Sequence, residues 1–184
     1  IAFPIKPFFK AYDLIQSEDS FNNKTALPFV IVGSGLAAIE VAFALRKRWR
    51  ERQLVLVCNS NTINKKLMHN LMISNIKIAK EISFKFQRII LCTGNQPPLW
   101  IKNNILNLDI KGRIITTNKL NLRDFEEVFA VGDCSSIEPN KLNSSGLYAV
   151  KVVNTLAKNI YKKFKGRKLH NWFPQKYGLQ ILNC

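Results

Sequence analysis

A glycine-rich turn between an apolar run and a helix is the feature that most restricts how this chain can fold. The run Phe29–Val32 is continuously apolar, which is typical of a central parallel strand covered on both faces. Apolar residues at helical spacing follow as far as Trp49, and Leu54–Val57 predicts a second buried strand. The turn between the first strand and the helix reads Gly33-Ser34-Gly35-Leu36-Ala37-Ala38. Together these segments predict a β-α-β unit of about thirty residues.

The turn has the residues that a dinucleotide site needs. Gly33 permits a tight turn, Gly35 removes a side chain that would block a pyrophosphate, and Ala38 allows the helix to pack closely on the strand. The N terminus of the helix would offer N–H groups and the positive end of its dipole to the phosphates. We therefore predict that residues 33–38 bind a nucleotide. A tight turn without a ligand is the alternative.

The end of the second predicted strand bears on the choice between NAD and NADP. In β-α-β dinucleotide sites this position contacts the adenosine ribose, and an acid there favours NAD. Here the strand is followed by Asn59, which can hydrogen-bond a diol without carrying a charge. Lys65 and Lys66 lie a few residues further on and could favour a 2′-phosphate. At this point the choice stays open.

A second nucleotide-type signal lies near residue 130. The apolar run 128–131 predicts a buried strand that delivers Gly132 and Asp133 to its carboxyl end, where open α/β sheets bind ligands. Glycine lets a backbone come close, and an ionised aspartate accepts hydrogen bonds, which vicinal hydroxyls donate. The sequence therefore predicts a second site, for a cofactor that carries hydroxyl groups.

Composition limits the remaining function classes. The chain has 184 residues, of which 47% are hydrophobic and 22% charged, as in globular proteins. No apolar run approaches the roughly 20 residues that span a bilayer. The net charge of +16 is interpreted first as solvated lysines, because no nucleic-acid-binding motif accompanies it. A nucleic-acid partner is therefore not expected, whereas peripheral contact with the inner face of a membrane stays open.

The cysteines predict a reducing compartment. The four cysteines lie far apart and form no Cys-x-x-Cys pair, so we expect free thiols in a cytoplasmic protein. With only two histidines besides, no metal site is predicted.

Three motifs, in this order, resemble those of the two-dinucleotide-binding flavoproteins. They are residues 33–40, which end in Glu40; Leu91-Cys92-Thr93-Gly94 followed by Pro97; and residues 128–133. The family includes the pyridine nucleotide-disulfide oxidoreductases and the type II NADH dehydrogenases. The resemblance runs from about residue 27 to residue 164. It implies an α/β fold in which a Rossmann-like nucleotide-binding domain is joined to part of a second, FAD-binding domain.

The resemblance also implies cofactors, roles and an activity. The first motif would hold NAD(P)H, with Glu40 near the nicotinamide as the candidate catalytic residue. Thr93-Gly94 would mark the crossing between domains. The implied activity is that of an NAD(P)H dehydrogenase-type flavoprotein: hydride transfer from NAD(P)H to FAD, then to a quinone or another electron acceptor.

On the flavin side, the resemblance gives roles to the second predicted site. Asp133, after Gly132, would hold the ribitol of FAD. The helix that begins near Leu147 and Tyr148 would point its N terminus at the flavin, where its dipole would stabilise negative charge on the reduced ring.

The chain also departs from the family pattern. Nothing before residue 25 matches the family's FAD-binding Gly-x-Gly-x-x-Gly motif, so we interpret the chain as the middle of a larger flavoprotein or a truncated descendant. The expected domains are a lead-in from a missing FAD-domain half (1–24), an NAD(P)-binding domain (25–110), a returning FAD-domain segment (111–166) and the start of a C-terminal domain (167–184).

Two alternatives stay open. One is a non-catalytic module that binds a nucleotide or a polyanion. The other follows from the residues after 166, which resemble the flavoprotein module fused to selenide, water dikinase in some bacteria, and it implies fusion with, or proximity to, that enzyme.

Overall fold

The computed structural model describes residues 2–21, 26–59, 61, 63–82, 88–94, 97–103, 105–138 and 146–175. The chain forms two compact units, the first spanning Ile1–Gly94 and the second Asn95–Ile181.

The first unit is built on a five-stranded parallel sheet. Its strands are β1 (Ala2–Pro4), β2 (Phe29–Val32), β3 (Leu54–Val57), β4 (Ile76–Ala79) and β5 (Arg88–Leu91), in the order β1-β5-β2-β3-β4. Its helices are α1 (Phe8–Glu18), α2 (Leu36–Arg48) and α3 (Lys65–Ile73). Every pair of neighbouring strands is parallel. The predicted β-α-β unit is therefore confirmed as β2-α2-β3, and the fold is a Rossmann-like α/β fold.

Strand alternation divides the core of this unit between the two faces of the sheet. Phe29 and Ile31 lie in one cluster with the buried residues of the three helices. Val30 and Val55 belong to a second cluster, on the opposite face. Because both faces of β2 are buried, its sequence is continuously apolar rather than alternating.

A buried charged cluster joins α1 to the sheet. The carboxylate of Glu18 and the guanidinium of Arg52 are each only 2% exposed, and they form an ion pair at 2.5 Å. Arg88 Nε lies 2.9 Å from the other carboxylate oxygen. The Arg52 guanidinium also lies over the rings of Phe29 and Trp49, at 5.3 and 4.8 Å from their centroids. The Glu18 carboxylate is thus paired with two guanidinium groups, and the buried guanidinium of Arg52 also lies over two aromatic rings. Both arrangements offset the free energy lost when a charge leaves water.

The second unit contains short elements. A two-stranded parallel sheet pairs β6 (Ile114–Thr116) with β7 (Ser135–Ile137). The helices are α4 (Gly146–Lys151) and α5 (Val153–Phe164), with 3₁₀ turns at Leu99–Asn103 and Gly132–Cys134. The turn-forming sequence Lys111-Gly112-Arg113 predicts a hairpin. The structure confirms it: Leu108 and Ile114 form an antiparallel bridge, and Gly112 N donates to Asp109 O at 2.8 Å.

The prediction of a buried strand over residues 128–131 is wrong. Phe129 forms a single antiparallel bridge with Asn121, and of the four residues only Ala130 is buried, while Val128 is 42% exposed. In the described part of the unit, the strand-like backbone pairing of this run is with the short segment 120–122, so the run does not form a strand within a sheet. Gly132 and Asp133 consequently lie in a 3₁₀ turn that leads into β7, rather than at the end of a strand.

The sequence predicts a helix over residues 146–164, and the structure has α4 and α5 there. The apolar residues predicted to form its buried stripe face solvent instead: Val150, Val153, Ala157, Ile160 and Phe164. Val150 is 73% exposed and Phe164 82% exposed. The buried residues of this stretch are Val152 and Asn159, and Leu156 packs against the same apolar cluster as Val152. In the residues that the structure describes, no helix is long and apolar enough to span a membrane.

Two predictions reach beyond the described residues. The sequence predicts a strand over residues 76–86, but β4 spans only Ile76–Ala79; residues 80–82 lie outside any strand, and residues 83–87 are outside the described part. The sequence also predicts a strand over residues 179–182, which lie wholly outside the described part.

Candidate functional site

The glycine-rich turn lies at the point where the order of the strands reverses. From β2 the chain proceeds to β3 and then to β4 on one side of the sheet, and it returns to β5 on the other side of β2. Because all these strands are parallel, the residues that follow β2 and β5 share the carboxyl edge of the sheet. Such a reversal is where open α/β sheets bind ligands.

Gly33 allows a contact between backbones at this point. Its φ is +150°, and a Cβ at this position would lie 2.5 Å from the carbonyl oxygen of Cys92, which follows β5. The same Cβ would lie 3.2 Å from that of Ala38, which is fully buried in the first turn of α2. Gly33 N donates to Val57 O at 2.9 Å. Only glycine therefore lets the turn pack between the ends of β3 and β5.

Gly35 has a different environment. It is the N-cap residue of α2, with φ −81° and ψ 166°, and no side chain caps the helix there. A Cβ on Gly35 would meet nothing within 4 Å, so the space next to this residue is open. Leu36 and Ala37 begin α2, and the first N–H groups of a helix have no partner within the helix. The turn thus presents open space and helical N–H donors at one place.

The turn is also tied to the end of β3. The backbone N of Asn59 donates to Ser34 Oγ at 2.9 Å. The Asn59 side chain is exposed, and its Oδ1 accepts from Asn61 N at 3.2 Å. The residue predicted to meet the adenosine ribose is therefore held next to the glycine turn.

The residues after β5 complete this edge. Cys92 is buried, and burial raises the pKa of its thiol to about 11, so it packs as a neutral thiol. Thr93 and Gly94 are exposed, and Gly94, with φ +112°, is the last described residue of the first unit. Glu40 lies in the second turn of α2 and is half-buried.

The second predicted site lies in the second unit. Gly132 has φ +77°, and a Cβ there would lie 3.7 Å from Ala149 Cβ in α4. Asp133 is half-buried in the same 3₁₀ turn. The structure thus brings the Gly132-Asp133 turn against the short helix that includes Leu147 and Tyr148, both half-buried.

Tyr148 is fixed by two contacts in this unit. Its hydroxyl donates to Gln175 O at 3.1 Å, and its ring meets that of Trp172 edge-on, with 6.3 Å between the centroids. Across the described residues, no group of three His, Cys, Asp or Glu side chains could hold a metal ion.

Two site contacts were not foreseen from the sequence. The carbonyl of Cys92 is the group that excludes a side chain at Gly33, and Ser34 Oγ anchors Asn59. A signal for the first contact was present, since both residues directly follow apolar runs. Neither apolar run, however, shows that β2 and β5 are neighbours in the sheet, because the strand order depends on residues far apart in sequence.

No family model matches the chain, and no curated protein matches it. Solved structures do match. One is the water-forming NADH oxidase from Lactobacillus brevis bound to NADH, with a TM-score of 0.66, 15% identity and coverage of 93% of this chain and 42% of that chain. A second is an engineered water-forming NADPH oxidase, a mutant of the same enzyme bound to NADPH, with a TM-score of 0.63, 17% identity and the same coverage.

A third solved structure is the reduced CoADR-RHD protein of Bacillus anthracis. Its TM-score is 0.65 at 16% identity, and the match covers 92% of this chain and 35% of that chain. The chain therefore spans less than half the length of all three proteins. At these identities the likeness shows a shared fold.

Proposed function

We propose that this chain is the nucleotide-binding part of an FAD-dependent NAD(P)H oxidoreductase. The observation that carries the proposal is the open space beside Gly35, at the N terminus of α2 and at the sheet edge where the strand order reverses. Two of the solved structures with this fold are bound to NADH or NADPH, which supports the same assignment. The bound cofactors would supply the hydride-transfer chemistry, from NAD(P)H through FAD to a quinone or another acceptor.

The chain's own residues would bind and orient the dinucleotide. Gly33 seats the turn against the end of β5, which leaves the first turn of α2 open toward the edge. The diphosphate would accept hydrogen bonds from the N–H groups at the start of α2, where the helix dipole favours negative charge. Because Gly35 has no side chain, it does not itself accept hydrogen bonds from those N–H groups as a capping side chain would. Glu40, one turn further along α2, is the proposed residue near the nicotinamide.

From the sequence, residues 25–110 would form the NAD(P)-binding domain, with residues 1–24 leading in from the FAD domain. The observed units divide the chain after Gly94, and β1 and α1 lie in the first unit. We therefore assign the first unit, from residue 1 to residue 94, to the NAD(P)-binding domain. Residues 111–166 would form a segment of the FAD-binding domain, and residues 167–184 would begin a C-terminal domain.

Replacing Gly35 with aspartate tests the dinucleotide site. Aspartate is a favourable N-cap at φ −81°, so we expect stability to be unchanged or raised by up to about 1 kcal/mol. The added carboxylate would repel the diphosphate, and we expect NADH and NADPH to bind about tenfold more weakly or worse, equivalent to about 1.4 kcal/mol. Calorimetric titration measures the binding, and thermal unfolding measures the stability.

Gly35→Asn is the matched control, since asparagine caps a helix and has nearly the same size without the charge. It should retain more of the affinity than Gly35→Asp. Unchanged binding of both nucleotides by Gly35→Asp would contradict the proposed site.

Asp133 tests the flavin part of the proposal. Its carboxylate would accept hydrogen bonds from the FAD ribitol, each worth about 1.5–3 kcal/mol when charge-assisted. We therefore expect Asp133→Ala, made in the intact flavoprotein, to weaken FAD binding by roughly tens of fold, as measured by quenching of flavin fluorescence. NAD(P)H binding, which depends on the first unit, should be unaffected. Equal FAD affinity of the variant and the parent chain would reject this role for Asp133.

A further inference from the structure

We propose that this chain binds the 2′-phosphorylated nicotinamide cofactor, NADP(H), in preference to NAD(H). The inference rests on the proposed function, because it concerns the adenosine end of the same dinucleotide site. It is carried by Asn59, which lies after β3, and by Lys65 and Lys66 in the first turn of α3.

The first step is the position and chemistry of Asn59. Its backbone N donates to Ser34 Oγ at 2.9 Å, which holds the residue beside the glycine turn, and its side chain is exposed. At this position a carboxylate would accept the 2′-hydroxyl of NAD and repel the 2′-phosphate of NADP. A neutral amide can donate to a phosphate, because its NH₂ group carries two hydrogens. Asn59 therefore lacks the feature that selects NAD.

The second step is the charge of the surrounding sequence. No aspartate or glutamate lies between Glu51 and Glu81, so no nearby residue of this stretch replaces the missing acid. Lys65 and Lys66 are exposed at the start of α3. Because α3 follows β3, its first turn lies toward the carboxyl edge of the sheet, the edge that also carries the glycine turn.

The third step is that these lysines oppose the local helix electrostatics. Cations are unfavourable in the first turn of a helix, where the dipole is positive. Helix α3 is otherwise well formed at this end, because the N-cap Asn64 accepts from Leu67 N at 2.8 Å. A feature that breaks a local rule in a well-capped helix is the kind that proteins keep at functional positions. A phosphate with about two negative charges would relieve the repulsion.

Titration of the 184-residue chain with NADPH and with NADH tests the inference. We expect NADPH to bind about tenfold more tightly or better, with a preference that decreases as salt is raised. Asn59→Asp should remove the preference, by weakening NADPH about tenfold while leaving NADH as tight or tighter. The double variant Lys65→Gln/Lys66→Gln should bring NADPH affinity down toward that for NADH without changing NADH binding.

Lys47→Gln/Lys77→Gln is the matched control. It removes the same charge, but Lys47 lies at the C-terminal end of α2 and Lys77 within β4, away from the proposed phosphate position. This variant should keep the NADPH preference. If Lys47→Gln/Lys77→Gln lost the NADPH preference as fully as Lys65→Gln/Lys66→Gln does, the preference would come from overall positive charge. That result would overturn the inference that Lys65 and Lys66 bind the 2′-phosphate.

The possible results distinguish failure of the NADP(H) preference from failure of the proposed nucleotide-binding function. Equal affinity for the two nucleotides, or tighter binding of NADH, would overturn the NADP(H) inference and leave the proposed function in place. Binding of neither nucleotide would overturn both. Thermal unfolding of each variant, compared with the parent chain, identifies any loss of affinity that comes from unfolding.

Discussion

Replacing Gly33 with alanine is expected to lower the free energy of unfolding of the first unit by about 3–5 kcal/mol. Two effects add. The φ of +150° is one that L side chains rarely adopt, and the new Cβ would lie 2.5 Å from the carbonyl oxygen of Cys92. Because that neighbour is backbone at the end of a paired strand, it cannot move aside without disturbing β5. Urea unfolding followed by circular dichroism measures the change.

Gly94→Ala is the control for the Gly33 prediction. Gly94 also has a positive φ, +112°, but a Cβ there would meet nothing within 4 Å. Its substitution should cost only the backbone strain, about 1–2 kcal/mol. If the two variants were equally destabilised, the close approach of the glycine turn to β5 would be disproved.

The second large effect is expected at the buried charged cluster. Glu18→Ala should destabilise the first unit by about 3–5 kcal/mol, because it leaves the guanidinium of Arg52 buried without its counter-ion. The double variant Glu18→Ala/Arg52→Met should be destabilised by less than the sum of the two single variants, since it removes both charges together. Denaturant titrations of the two single variants and the double variant form the required cycle. Additive effects would show that the ion pair contributes nothing of its own.

The neighbouring residue supplies a comparison for Glu18. Asp19 pairs with Arg48 at the surface, where both side chains are more than a third exposed, and it also accepts from Nε1 of the buried Trp49 at 2.8 Å. The exposed pair contributes little, so most of the expected cost of Asp19→Ala, about 1–2 kcal/mol, comes from the lost Trp49 hydrogen bond. Its hydrogen bond with Arg48 lowers the pKa of the Asp19 carboxyl. The small stabilisation is therefore present above the ordinary carboxyl pKa and is lost as the pH falls through the lowered value.

The parts of the fold that the sequence predicted are those that local pattern determines. The continuous apolar runs correctly predicted β2 and β3, since a strand buried on both faces needs no alternation. The run Ile89–Leu91 likewise predicts a strand and is found in β5, where Ile90 is buried. The amphipathic stretch from Phe8 to Ile15 corresponds to α1. In contrast, β1 was not predicted, because Pro4 argues against a strand. An edge strand tolerates proline, since on one side it has no neighbour to which an N–H must donate.

The errors in the second unit have a common cause. A short apolar run such as 128–131 predicts burial only if neighbours cover it, and the run itself does not specify them. In α5 the inward position is taken by the polar Asn159. Its Nδ2 donates to the carbonyls of Lys119 and His170, both at 2.8 Å. A hydropathy pattern cannot identify such a residue, because its partners come from segments distant in sequence.

The candidate site was predicted residue by residue, whereas its arrangement was not. The positions of Gly33, Gly35 and Asn59 followed from the β-α-β pattern. The sequence did not predict that the two glycines have different environments. In the folded protein Gly33 lies against the backbone of Cys92, whereas Gly35 faces open space.

The pairing of β1 with β5 has a consequence for biosynthesis. During translation β1 leaves the ribosome long before β5, its neighbour in the sheet, and the segments that form β2, β3 and β4 emerge between them. A nascent chain stalled ahead of Arg88 can pair β2, β3 and β4, but it holds Ala2–Pro4 without its hydrogen-bonding strand. The turn at Gly33 would also still lack the carbonyl of Cys92, so a ribosome-bound intermediate should acquire nucleotide affinity only after that residue has emerged.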